Sequence, residues 1–211
     1  CGSDMHAYHG HDPRRQPGLV LGHEFAGTIV DGPNKGQRVT GNPLISCGRC
    51  EYCLQGRNNL CADRTMVGMT RAGAFAQFMS IPAKELIPLP DSISDTHAAL
   101  TEPGATALHA IDMGQRALVR PLPEARVLVI GAGAIGMLAA LLLRSYGVRV
   151  LWVSVTHVDL GDSVQKLANA KGFNPVKDTG PGESAFDLVI DAVGAAPTRD
   201  LMLHAAKPGS V

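Results

Sequence analysis

The chain has 211 residues, with 19 Lys and Arg balanced by 19 Asp and Glu, for a formal net charge of zero. Hydrophobic residues make up 45%, enough to bury a core, which excludes a disordered tail. The charge balance gives no electrostatic reason to expect nucleic acid or an anionic membrane as partner.

In chain order, the first hundred residues carry short apolar runs such as "FAGTIV" (25–30) and "AFAQFMSI" (74–81) between Gly, Pro and Asn. These read as short strands of a β-rich domain. After about residue 100, strands alternate with helices. "ATALHAIDMG" (105–114) is a short helix between the halves, and the domain boundary is expected at 104/105. "ARVLVIGAG" (125–133) is a buried strand entering a glycine turn, and "AIGMLAALLLRSYG" (134–147) is a helix ending at Gly147. "VRVLWVSV" (148–155) is a second strand. "DSVQKLANAKG" (162–172) is a helix with a cap at Asp162 or Ser163 and Gly172 as its stop. "FDLVIDAVG" (186–194) is a further strand, and 197–209 a helix with Pro197 in its first turn. This alternation implies parallel pairing with right-handed crossovers.

The longest uncharged run, 127–143, is short for a membrane span and is broken by "GAGAIG". No signal-peptide pattern stands before the five cysteines, so a secreted disulfide framework is not expected and a cytoplasmic location is. A start at Cys1 and a close on "AAKPGSV" read as a fragment with both ends missing.

Four cysteines share one loop, Cys47-x2-Cys50-x2-Cys53-x7-Cys61. Four thiolates at such spacing satisfy a tetrahedral Zn2+ with no open position, so a structural zinc is expected. Two disulfides, buried free thiols or an iron–sulfur cluster are the alternatives. "GAGAIG" sets Gly131, Gly133 and Gly136 between a strand and a helix. The first glycine permits the turn, the second lets backbone approach a pyrophosphate, and the third lets helix pack on sheet. Ala134 and Ile135 then open the helix N-terminus toward the phosphates. An acid should end the second strand to hold the adenosine ribose. Counting from Gly131 places it at Val155, and counting back from Gly172 places it at Asp159. Asp159 is therefore the candidate ribose ligand, with an exposed residue before a helix as the plain alternative. No Arg follows the strand to favour a 2′-phosphate, so NAD is slightly preferred over NADP.

Together "CGSDMH", "GHEFAG", "CGRCEYCLQGRNNLC", "EPGATALHA" and "GAGAIG" resemble, in order, the zinc-dependent medium-chain alcohol dehydrogenases. The branch most resembled holds the sorbitol, butanediol, threonine and galactitol-phosphate dehydrogenases. The resemblance implies an α/β chain: a GroES-like β-rich catalytic domain (1–104), then a Rossmann doubly wound parallel sheet (105–211), both incomplete. It also implies a catalytic zinc on Cys1 and His23, with Glu102, and with Glu24 as ligand or neighbour. Ser3 matches the hydroxyl that takes the substrate proton, and His6 the relay toward solvent. Two zincs per chain and NAD or NADP follow, as does oxidation of a secondary alcohol or polyol to a ketone by a homodimer or homotetramer. "GQRV" (36–39) departs from the family's "GDRV", and Val155 stands where an acid is common. The rival readings are a zinc-free quinone or enone reductase of the same fold and a zinc-stapled nucleotide-binding protein without activity.

Overall fold

The computed structural model describes residues 1–155, 166, 168–173 and 182–211. They form two compact units, Cys1–Glu102 and Pro103–Val211.

The first unit opens with helix α1 (Gly2–Tyr8), whose first turn closes when the Asp4 and Met5 N–H groups donate to the Cys1 carbonyl. Strands β1 (Gly27–Thr28), β2 (Arg38–Gly41) and β5 (Leu86–Pro88) make an antiparallel sheet in the order β1-β2-β5. A second antiparallel pair joins β3 (Leu44–Ile45) to β4 (Thr65–Met66), with Leu44 opposite Met66 and Ile45 opposite Thr65. That pair clamps both ends of the cysteine loop. The loop itself holds helix α2 (Glu51–Leu54) and a 3-10 turn (Asn58–Leu60), neither of which buries a residue. Helix α3 (Asp95–Ala98) follows, capped by the Ser94 hydroxyl, which accepts from the His97 N–H.

Two expected strands shrink or vanish. "FAGTIV" contributes only β1, and "AFAQFMSI" forms no strand among the described residues. The apolar run is present, but a strand needs a partner row of backbone groups. Residues 74–81 instead face residues 25–31 across a groove of about 530 Å³, leaving Phe75 and Phe78 two-thirds exposed.

Helix α4 (Thr101–Ala117) runs past both ends of the expected 105–114. Pro103 lies in its first turn, where a missing N–H costs nothing, so nothing stops the helix earlier. Its buried residues Pro103, Ala107, Ile111 and Gly114 fall on one face.

The second unit is built on four parallel strands: β6 (Arg126–Ile130), β7 (Val150–Ser154), β8 (Lys171–Phe173) and β9 (Leu188–Asp191), in the order β8-β7-β6-β9. Val127, Leu128, Val129 and Ile130 are buried on both faces, as a central parallel strand requires. Helix α5 (Ala134–Ser145) packs Gly136, Ala139, Ala140 and Leu143 inward at helical spacing and ends at Gly147, whose φ is +82°. Arg144 staples its end by donating to the carbonyls of Val148, Arg149, Ala168 and Asn169. Helix α6 (Ala196–Ala205) carries Pro197 in its first turn, with the Thr198 hydroxyl accepting the Ala195 N–H. On the sheet's other face Phe186 packs against Leu128, Ile130, Val189 and Ala205.

The helix expected over 162–172 needs correction at its end. Gly172 lies inside β8, and the turn before it is made by Asn169 at φ +47°. Asn tolerates left-handed backbone and stops the helix three residues early. The rest of that helix, its caps Asp162 and Ser163, and Asp159 lie outside the described residues.

Candidate metal centres and nucleotide site

The four thiols of the clamped loop converge. Cys47, Cys50, Cys53 and Cys61 offer sulfurs that all lie within 4.8 Å of one another, and none is in a disulfide. Cys50 and Cys53 sulfurs are 3.5 Å apart, and Cys47 and Cys53 sulfurs 3.9 Å. A tetrahedron with Zn–S bonds of about 2.3 Å has edges of about 3.8 Å, so the cage fits zinc and is too wide for disulfides. The Arg49 and Cys50 N–H groups lower the Cys47 thiol to about 6, which favours the thiolate a metal needs. The Cys50 N–H is 3.4 Å from the Cys47 sulfur.

A second constellation forms around His23, which is 2% exposed. Two overlapping groups share it: Cys1, Asp4 and His23, and His23, Glu24 and Glu102, each with ligand atoms within 4.8 Å. Sulfur, imidazole and carboxylate together make a mixed donor set suited to zinc. His23 Nδ1 lies 3.2 Å from Asp4 Oδ2 without the alignment of a hydrogen bond. Asp4 Oδ1 accepts from the Gly22 N–H at 3.2 Å. The buried Asp4 carboxylate is thus an electrostatic neighbour of the His23 ring. Glu102 stands in the first turn of α4. Burial pushes its carboxyl above the ordinary value, opposed by His23 and reinforced by the charges of Glu24 and Asp4.

Ser3 sits beside this group. Its hydroxyl donates to the Cys1 sulfur at 3.4 Å and accepts from Arg15 Nη2 at 3.1 Å. His6 lies three residues on along α1 and is exposed, its ring 6.3 Å from that of His11. The groove between 25–31 and 74–81 holds none of these residues.

In the second unit the strand order reverses beside β6: the chain steps from β6 to β7 to β8, then returns to β9 on the other side. Such a switch point opens a crevice at the strands' carboxyl ends. Gly131, Gly133, Ala134, Ile135 and Gly136 lie at that end of β6. Gly131 has φ +96°, and a Cβ on it would meet Val193 Cγ2 at 2.5 Å. A Cβ on Gly136 would fall 1.8 Å from the Gly131 carbonyl oxygen. Both positions admit glycine alone, as a tight turn under a closely packed helix demands. At the end of β9, Asp191 accepts from the Val193 and Gly194 N–H groups and from the Thr198 hydroxyl. Val155, directly after β7, is buried and carries no carboxylate.

Three contributors escaped sequence reasoning. Asp4 stood in the quoted "CGSDMH" stretch, where an acid three residues after a candidate ligand was the available signal. Val193 and Arg15 reach their positions through tertiary contacts and left no local signal.

Comparison with known proteins agrees with this geometry. Residues 1–91 match the alcohol dehydrogenase GroES-like domain family. Residues 124–175 match an FAD binding domain family, over the strand–glycine turn–helix unit that dinucleotide folds share. The L-threonine 3-dehydrogenase of Pseudoalteromonas atlantica is 34% identical over 220 residues, covering 96% of this chain and 63% of that protein. A structure from Sinorhizobium meliloti 1021, assigned as a zinc-binding dehydrogenase and bound to NADP, is 32% identical with a TM-score of 0.87, covering 100% of this chain and 64% of its own. A structure described as the short chain alcohol dehydrogenase rspB of Escherichia coli CFT073, complexed with NADH, is 30% identical with a TM-score of 0.87 and the same coverage. The chain thus spans less than two thirds of the length of the curated relatives it matches. Among the described residues no helix is long and apolar enough to cross a membrane. Motif order, the two cysteine-bearing centres and the sheet topology agree with these similarities: residues 1–91 belong to the alcohol dehydrogenase GroES-like domain family, and the chain as a whole resembles the medium-chain alcohol dehydrogenases.

Proposed function

We propose that the protein oxidises a secondary alcohol or polyol to a ketone, with NAD or NADP as acceptor, and that residues 1–104 form its catalytic domain and 105–211 its dinucleotide-binding domain. The observation that carries the reading is the mixed sulfur, nitrogen and oxygen donor set around buried His23, in a chain that also holds a separate four-thiol cage. A zinc-free reductase of the same fold has no use for that donor set.

When bound, a catalytic zinc would supply Lewis-acid polarisation of the alcohol oxygen, and the dinucleotide would supply the hydride acceptor. Cys1 and His23 would hold the metal, with Glu102 and Glu24 as the carboxylates that complete or adjust its shell. Asp4 stands beside the His23 ring as its electrostatic neighbour. Ser3 takes the alcohol proton at Oγ, and His6, exposed on the same helix, passes it to solvent. Cys47, Cys50, Cys53 and Cys61 would hold a structural zinc that stiffens the loop. Gly131, Gly133 and Gly136 bring backbone to the pyrophosphate, and Ala134 and Ile135 open the helix whose N–H groups face it. Asp159 is the proposed ribose ligand.

Related proteins support a secondary hydroxyl as the reacting group: the relative named above is an L-threonine 3-dehydrogenase. Its structural neighbours carry NADP in one case and NADH in the other. A homodimer or homotetramer in the cytoplasm completes the proposal. The test is elemental analysis joined to a substrate screen of polyols and L-threonine with each dinucleotide. Two zincs per chain and alcohol-dependent dinucleotide reduction are expected. One zinc per chain, with no reduction, would leave only the structural cage and overturn the dehydrogenase reading. Ser3→Ala should lower turnover while leaving zinc content at two; normal turnover would remove Ser3 from the mechanism.

A further inference from the structure

We infer that Arg15 is a positioning residue for Ser3, fixing the hydroxyl oxygen through which the substrate proton leaves; this rests on the dehydrogenase reading above. The Arg15 side chain is 1% exposed. Burying a guanidinium costs several kcal/mol unless its donors are matched, and an apolar residue would serve packing better. Here the donors are matched in a particular way. Nε donates to the Gly68 carbonyl at 3.0 Å, Nη1 pairs with the Asp12 carboxylate, and Nη2 donates to Ser3 Oγ. Asp12 is itself held by Arg14, whose backbone N–H, Nε and Nη2 donate to it at 3.1, 2.8 and 2.9 Å. Two of the three Arg15 bonds thus fix the guanidinium plane, and the third is aimed by that plane.

A serine hydroxyl has one proton and two lone pairs and otherwise rotates freely. Nη2 occupies one lone pair, and the proton is directed to the Cys1 sulfur. One lone pair remains, pointing in a set direction; as the alcohol proton arrives there the hydroxyl's own O–H bond breaks and that proton leaves toward solvent, so Ser3 ends the transfer as a neutral hydroxyl. Ser3 is therefore oriented before any substrate arrives, and the ordering cost is met during folding. Lysine could supply charge at position 15 but not the three-way fork.

The test is a double-mutant cycle on the whole protein: wild type, Arg15→Met, Ser3→Ala and both together. Arg15→Met should lower kcat roughly tenfold, the scale of one charge-assisted hydrogen bond, with KM nearly unchanged. In the Ser3→Ala background the same change should cost almost nothing more, because the group it positions is gone. The urea midpoints of the four metal-free proteins should show the same shortfall from additivity, a readout independent of turnover. If Arg15→Met does not fold, Arg15→Lys takes its place in both cycles. Additive losses in both cycles, or a raised KM with unchanged kcat, would overturn the positioning role while the function stands. A wild-type protein that reduces neither dinucleotide with any alcohol overturns the dehydrogenase reading itself, and this role with it, before a variant is made.

Discussion

Replacing Gly136 by alanine tests the packing beneath the glycine turn. The added methyl would sit 1.8 Å from the Gly131 carbonyl oxygen, 3.0 Å from its carbon and 3.4 Å from Val129 Cγ1. Carbon and carbonyl oxygen come no closer than about 3.3 Å even in favourable C–H···O contacts, so that oxygen must retreat by more than about 1 Å. Room for that shift is limited, because Val193 packs close enough to Gly131 that a Cβ there would meet it at 2.5 Å. Overpacking that moves backbone costs about 1–3 kcal/mol, and this contact belongs at the upper end. Alanine returns about 1 kcal/mol over glycine inside a helix, leaving a net loss of about 2 kcal/mol. The matching control is Gly104→Ala in α4, where a Cβ meets nothing within 4 Å and φ is not left-handed. It should gain up to about 1 kcal/mol. In thermal unfolding the first variant should lose about 4–8 °C and the second gain about 2–4 °C. A Gly136→Ala midpoint at or above wild type would show that the turn yields freely and that close packing is not why glycine stands there.

Phe186→Ala removes a fully buried ring that touches Trp152 edge-on at 6.3 Å between centroids, and should cost about 3–5 kcal/mol in urea unfolding. Burial alone would raise the Asp187 carboxyl, but the Arg126 N–H and the Lys207 and Arg120 cations outweigh it and hold it below the ordinary value. A carboxylate depressed in the folded state stabilises above its unfolded pKa and loses that contribution as pH falls through the folded one. Asp187→Asn should therefore destabilise at pH 7 and flatten the acid limb of stability against pH; parallel wild-type and variant curves below pH 4 would count against this. Cys50→Ser should release one of two zincs per chain in elemental analysis and open the loop to proteolysis between 47 and 61; retained stoichiometry would mean three thiols suffice.

What could be read from sequence was what local spacing determines. The four-cysteine cage was legible because its ligands lie within fifteen residues and two-residue gaps constrain the geometry. The strand, glycine turn and α5 were legible because periodicity and the glycines agree. The strand order was only implied; return of the chain to β9 beside β6 makes the crevice, and no single segment records it. Residues 74–81 misled because a short apolar run records only local composition, whereas strand formation needs a neighbour along its whole length. Gly172 misled because glycine ends helices and also sits in strands, and Asn169 had already made the turn. Cys1 and His23 were legible only through family resemblance, since 21 residues lie between them and their meeting depends on how the chain folds back. Arg15 and Asp12 carry no pattern at all, although together they set the surroundings of Ser3.

The parallel sheet has a consequence for synthesis. Strand β6 is almost wholly apolar, and the second of its two neighbours, β9, lies about 60 residues farther along the chain. At ribosomal rates of about 5–20 residues per second, Val127 to Ile130 wait roughly 3–12 seconds for that edge to be covered. During that interval the nascent chain displays a short, uncharged, β-branched segment, the kind that seeds intermolecular pairing. Arg126 at its start is a charged flank of the kind that limits such pairing. Yield in a cell should therefore respond to chaperone supply and translation speed more than to the final stability of the sheet.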